Sequence, residues 1–239
     1  MNRTVSFGEL VNATFGEISV NRTIVFIYLA IATSAGTIGN LFDTKNTIDV
    51  LGIPVEGTIP FADLGGGALA PLVSLGVFVV GVLLTYWLYA ALIERQTAPG
   101  FRRFWAFILV YILSIIGIGL AALALIVPGI IVAVRWVPLI PALLARDEPL
   151  MDSFSTSWQL TSGSSWPIFG AALVLVVVGL VVSFVFELAA SLVAGLGPIG
   201  VSVFTAAGAS ISGMLFIVFA VATWRSLAAG GAEAAAVFE

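Results

Sequence analysis

Two ionisable side chains stand inside long apolar runs, and any chemistry in this chain would have to start from them. Arg135 sits in AVRW and Glu187 in SFVFELAAS. An isolated charge in an apolar layer costs several kcal/mol, so each should face a partner, a polar cavity or water. Arg135 follows Pro128 by seven residues and Glu187 precedes Pro198 by eleven. At 1.5 Å per residue, that places both roughly 10–16 Å from helix ends on the same side. The depths match those of an intramembrane ion pair with an ion-coupled or lipid-headgroup role. They equally match a structural ion pair, or an arginine whose stem is buried while its head snorkels to the interface.

Other catalytic sets are missing from the sequence. It has no histidine and no cysteine, which removes most nucleophile–base pairs, thiolate chemistry and histidine metal clusters. No apolar run contains an aspartate, so a pair of intramembrane aspartates is not available. The glycine-rich stretches LGGGA and GLGPIG read as turns, because neither follows the strand-to-helix pattern of a phosphate loop. These residues predict no enzyme, no cofactor and no metal site.

Composition sets the class of molecule that must position Arg135 and Glu187. The chain has 239 residues, of which 60% are hydrophobic and 9% charged, with a net charge of −4. Soluble domains carry about 25% charged residues, so this chain lacks the charge to cover a soluble surface. Its mean hydropathy is +1.16, and several runs exceed the ~18 apolar residues of a transmembrane helix. No basic stripe is present for nucleic acid.

The expected fold is all-α and polytopic, a single membrane domain over residues 1–239. Six spans fall at about 23–42, 68–93, 104–127, 130–144, 166–194 and 201–224. Pro128 and Gly129 mark a tight turn between the third and fourth, and Pro138 and Pro141 should interrupt the fourth. Tyr86, Trp87 and Tyr89 suit a bilayer interface. Ser202, Ala206, Ser210 and Gly213 give the sixth span a small-residue face for close helix contact.

Two further segments, 5–19 and 149–162, read as amphipathic helices lying in the interface. In the first, Ser6 and Glu9 have capping-box spacing, and Phe7, Leu10, Val11, Phe15 and Ile18 share one face. In the second, Leu150, Phe154 and Trp158 recur every fourth residue and Gly163 is the C-terminal stop. Each helix leads into a membrane hairpin of the same orientation, a weak internal echo. The acids of the 43–67 loop fit no calcium-ligand pattern. With six spans, Arg3, Arg22, Arg95, Arg102, Arg103, Arg146 and Arg225 all fall on the side that holds both termini. By the positive-inside rule that side is cytoplasmic.

The central stretch carries a specific pattern: Pro128-Gly129, Arg135, Pro141, an acid at Glu148, then Ser157-Trp158-x-Leu160-Thr161-x-Gly163-x-x-Trp166. This pattern resembles the glycerophosphoryl diester phosphodiesterase membrane-domain family and related bacterial membrane proteins of unknown function. Some relatives fuse this domain to a soluble phosphodiesterase, whose histidines and metal-binding acids this chain lacks. The resemblance therefore implies a six-helix membrane domain in a bacterial cytoplasmic (inner) membrane, without phosphodiesterase activity. The expectation is a non-enzymatic integral membrane protein, acting as scaffold, accessory subunit or lipid-interacting module. Membrane lipids or other membrane-protein subunits would be its partners. The alternative is a small transporter or channel with a polar path at Arg135 and Glu187.

Overall fold

The computed structural model describes residues 5–42, 47–50, 53–56, 69–146 and 149–236. Glu148, Asp43, Asp63, Arg3 and Lys45 lie outside them. Nine α-helices follow in order among the described residues: α1 Phe7–Val20, α2 Arg22–Phe42, α3 Leu69–Glu94, α4 Phe104–Ala124, α5 Ile126–Arg135, α6 Leu139–Arg146, α7 Leu150–Leu160, α8 Ser165–Leu192 and α9 Pro198–Ala236. Between α2 and α3, Thr47–Val50 pairs antiparallel with Ile53–Glu56, Val50 opposite Ile53. Among the described residues, six helical stretches are long and apolar enough to cross a membrane: Arg22–Phe42, Pro71–Glu94, Phe104–Leu123, Ile126–Arg146, Ser165–Leu192 and Pro198–Ala229. The protein is an all-α polytopic membrane protein.

Local chemistry accounts for the helix ends. Ser6 and Glu9 form the expected capping box, the Ser6 hydroxyl accepting from the Glu9 amide and the Glu9 carboxylate from the Ser6 amide. Gly163 takes φ +85° just past the end of α7, a left-handed conformation that side-chain-bearing residues rarely adopt. Gly197, at φ +97°, reverses the chain before α9.

The turn between the third and fourth spans is displaced from where the prolines suggested. It falls at Leu125, in extended conformation at φ −165°. Pro128 sits inside the first turn of α5, where a backbone N–H has no helical partner to lose. Gly129 is helical and allows close packing rather than chain reversal: a Cβ there would lie 2.8 Å from the Cα of Ala122 in α4. Pro141 likewise occupies the first turn of α6, so Pro138 alone breaks the fourth span. The sixth helix also departs from expectation, since α9 continues past Arg225 to Ala236 and buries Leu227.

The helices cluster into two compact units. One comprises Met1–Phe26, Tyr86–Val178 and Gly213–Glu239. Its main core joins Val5 and Leu10 to Val134, Ile168, Ala171, Leu175, Phe219 and Leu227. A second cluster, Val110, Leu139 and Leu143, takes in Leu150 and Phe154 of α7. Tyr86 and Tyr89 are buried here rather than set at an exposed interface. The Tyr86 hydroxyl donates to the Gly100 carbonyl at 2.9 Å, and its ring stacks on Phe101 and meets Phe104 and Phe107 edge-on. Trp87 donates its indole N–H to the Thr97 carbonyl.

The other unit comprises Ile27–Thr85 and Gly179–Ser212 and is held by small residues. A Cβ on Gly36 would meet the Ala206 Cβ at 3.1 Å, and one on Gly39 would meet Val77 at 3.3 Å. The Ser212 hydroxyl lies 3.0 Å from the Ser183 hydroxyl and from the Gly179 and Gly208 carbonyls. Of the small face read from the sequence, Ser202 and Ala206 are buried, whereas Ser210 is half-buried and Gly213 exposed. The reason is geometric. Gly208, which packs on Phe186, lies about 200° round the helix from Ala206 at 100° per residue. The helix therefore needs two small faces, one for α2 and one for α8.

Candidate functional site around Arg135

The break at Pro138 sets up this site. In an unbroken helix Leu139 would donate to the carbonyl of Arg135. Instead the Leu139 amide bonds Trp136 at 3.1 Å, so the last carbonyl of α5 is left free. Ser157 of α7 fills the gap, its hydroxyl donating to the Arg135 carbonyl at 2.8 Å. A freed backbone group within a membrane domain must be satisfied by such a neighbour. The guanidinium returns the contact. Its Nη1 donates to the Trp158 carbonyl at 3.2 Å, and its central carbon lies 5.1 Å from the Trp158 ring centroid. Such a cation–π contact contributes about 0.5–1 kcal/mol when exposed and ~2 when desolvated. Nε is buried and has no hydrogen-bond partner among the described residues.

The buried stripe of α7 is polar, comprising Ser153, Ser157 and the capping Thr161. The Thr161 hydroxyl donates to the Ser157 carbonyl at 2.9 Å, and Ser165 donates back to Thr161. Phe154 stacks edge-on against Trp136, centroids 5.1 Å apart, and Leu160 packs on the main core. Met151 and Trp158 remain exposed. The apolar repeat Leu150–Phe154–Trp158 thus divides between core and surface. In α1, Leu10 and Thr14 are buried while Phe7 and Phe15 are exposed.

Beside Arg135 runs an open apolar groove of ≈ 430 Å³. Ile130, Ile131 and Val134 of α5 form one wall, Trp166 and Phe169 of α8 the other, and Arg135 and Ser165 lie along it. Five of the motif positions read from the sequence, Arg135, Ser157, Trp158, Thr161 and Trp166, therefore meet in one neighbourhood. Pro128 and Gly129 are at the opposite end of α5. Pro141 is buried in α6.

Glu187 is exposed in α8, in the second unit, among exposed Phe184, Val185 and Leu188. It stands five residues before the end of a 28-residue helix. That helix is about 42 Å long at 1.5 Å per residue, against a hydrocarbon layer of ~30 Å. Its last turns can therefore reach headgroups or water, where a carboxylate is tolerated. Arg135 and Glu187 each have their own surroundings to account for.

A close ion pair among the described residues is one that sequence reading passed over. Arg225 of α9 donates to both carboxylate oxygens of Glu17 in α1, with the two side chains only 20% and 13% exposed. Its other arm donates to the Leu92 carbonyl at 2.6 Å, near the end of α3. Asn21 supports Glu17 through its amide at 2.9 Å, and Arg95 approaches it at 3.8 Å. The available signal was the row Leu10, Thr14, Glu17 and Asn21, spaced three and four apart on one face of α1. No family model, curated protein or solved structure matches this chain.

Proposed function

We propose that this chain is a non-enzymatic integral membrane protein, a lipid-interacting module that serves as scaffold or accessory subunit, and a member of the glycerophosphoryl diester phosphodiesterase membrane-domain family. The observation that carries the reading is the neighbourhood of Arg135. Its guanidinium meets a backbone carbonyl and an indole ring, its own carbonyl accepts from Ser157, and an apolar groove opens beside it. This is a surface for holding an apolar partner, not an acid, a base and a nucleophile around a reacting atom. The convergence of Arg135, Ser157, Trp158, Thr161 and Trp166 supports the family assignment, because one local structure uses all five.

Mild-detergent extraction from native membranes should bring down lipid, or other membrane-protein subunits, in fixed proportion to the chain. Solute flux into proteoliposomes that Arg135→Ala abolishes would instead establish the transporter alternative and overturn this reading.

The proposal includes a cytoplasmic-membrane location with both termini inside, from the arginine asymmetry. The chain has no native cysteine, so single-cysteine variants report cleanly. A cysteine at Thr97, which is exposed after α3, should react with an impermeant maleimide only after the membrane is opened. One at Thr58 should react in sealed cells. The reverse pattern would invert the assignment.

A further inference from the structure

Resting on the lipid-contact reading above, we propose that the groove between α5 and the start of α8 binds one anionic phospholipid. An acyl chain would lie along Ile130, Ile131 and Phe169, with the headgroup phosphate against Arg135.

Size, lining and charge each favour this occupant. The groove's ≈ 430 Å³ lies within the roughly 300–1,000 Å³ of small-molecule sites. From Val127 to Arg135 it follows about 12 Å of helix at 1.5 Å per residue, close to half of a ~30 Å hydrocarbon layer. Its walls are aliphatic and aromatic and stand open: Ile131 is 49% exposed and Trp166 83%. A mobile solute would leave this surface to water, whereas an acyl chain covers it.

The polar end of the groove is specific. Among the described residues Arg135 is the one charged residue lining it, and its buried Nε lacks a hydrogen-bond partner. An unpaired buried donor is destabilising, and a small shift of the guanidinium toward a phosphate oxygen would relieve it. Guanidinium and phosphate form strong charge-assisted hydrogen bonds. Ser165 and Trp166 open α8, where first-turn amides have no helical partner and favour an anion. A zwitterionic lipid would offer the same chain and phosphate but bring its own cation beside Arg135. Net anionic headgroups should therefore be preferred.

The test uses the full chain in nanodiscs with equal phosphatidylglycerol and phosphatidylcholine, released into the gas phase for native mass spectrometry. One phosphatidylglycerol should stay with each chain, favoured over phosphatidylcholine by about tenfold, the ratio expected from keeping one like charge away from Arg135. Ile131→Trp fills the groove while leaving Arg135 and its Trp158 contact in place, and should lower retention by a similar factor. Arg135→Gln should equalise the two lipids. Excess inorganic phosphate should not displace the bound lipid.

Equal retention of both lipids by the unaltered chain would overturn the proposal, as would displacement by phosphate, which would mark a site for a free anion. Lipid held as tightly by Ile131→Trp would remove the groove assignment and leave the lipid-interacting reading standing. No retained lipid of either kind would remove both.

Discussion

Arg225→Ala should destabilise the folded protein by about 3 kcal/mol, the lower end of the range for breaking a buried ion pair. The substitution leaves the Glu17 carboxylate, 13% exposed, with only Asn21 and the more distant Arg95 to offset its charge. It also strips the Leu92 carbonyl of its donor. Three helices lose a shared contact, since Glu17 belongs to α1, Leu92 to α3 and Arg225 to α9. Glu17→Gln should cost less, because a neutral amide does not need a counter-charge. Unfolding in mixed detergent micelles, followed by tryptophan fluorescence, measures each variant. In the double variant the loss should fall short of the sum by more than ~0.5 kcal/mol, the scatter expected of independent sites. Additive losses would mean that the pair does not hold the helices together.

Gly129→Ala should destabilise by about 1–3 kcal/mol, the usual cost of overpacking, although alanine is the better helix former. The added methyl would meet the Ala122 Cα at 2.8 Å and its amide nitrogen at 3.0 Å. Backbone atoms of a packed helix cannot swing aside as a side-chain tip can. Gly119→Ala, on the helix opposite, is the internal control. Nothing lies within 4 Å of its would-be Cβ, so the helix preference for alanine, roughly 0.5–1 kcal/mol, should appear unopposed. Thermal unfolding of the two variants should move in opposite directions. A rise in both would show that α4 and α5 do not pack as closely as the hairpin geometry requires.

The parts of this fold legible in the sequence are those that depend on local chemistry. Apolar runs marked the six helices that are long enough to cross a membrane, and the capping box at Ser6 and the stop at Gly163 marked helix ends. Pro128-Gly129 misled because proline and glycine have two uses each: proline tolerates a first helical turn as readily as a chain reversal, and glycine permits close packing as well as positive φ. Arg135 drew attention because it interrupts an apolar run. Glu17 and Arg225 did not, because charges beside apolar runs are ordinary, and only the packing of α1 against α9 makes them partners. For the same reason the aromatic side chains of Tyr86 and Tyr89 suggested an interface, whereas the carbonyl of Gly100 and the rings after it draw them inward. The apolar repeat of Leu150, Phe154 and Trp158 does not reveal the serine and threonine stripe of α7. It is buried all the same: Ser157 donates to the carbonyl freed at Arg135, and Ser153 and Thr161 donate to carbonyls of their own helix.

Among the described residues, three arginines take backbone carbonyls late in helices. Arg225 takes Leu92 in α3, Arg103 takes Leu143 in α6 at 2.9 Å, and Arg135 takes Trp158 in α7. Positive charge is favoured where a helix ends in unsatisfied carbonyls. Arg103 and Arg225 are also among the charges from which the orientation in the membrane was read. Under the orientation proposed above, the same residues would serve two stages of the protein's life, first as address labels during insertion and later as latches between finished helices. Lysine could replace either one as a label, since only charge matters for insertion, but its single ammonium cannot hold a carboxylate and a carbonyl in the fixed fork that arginine offers.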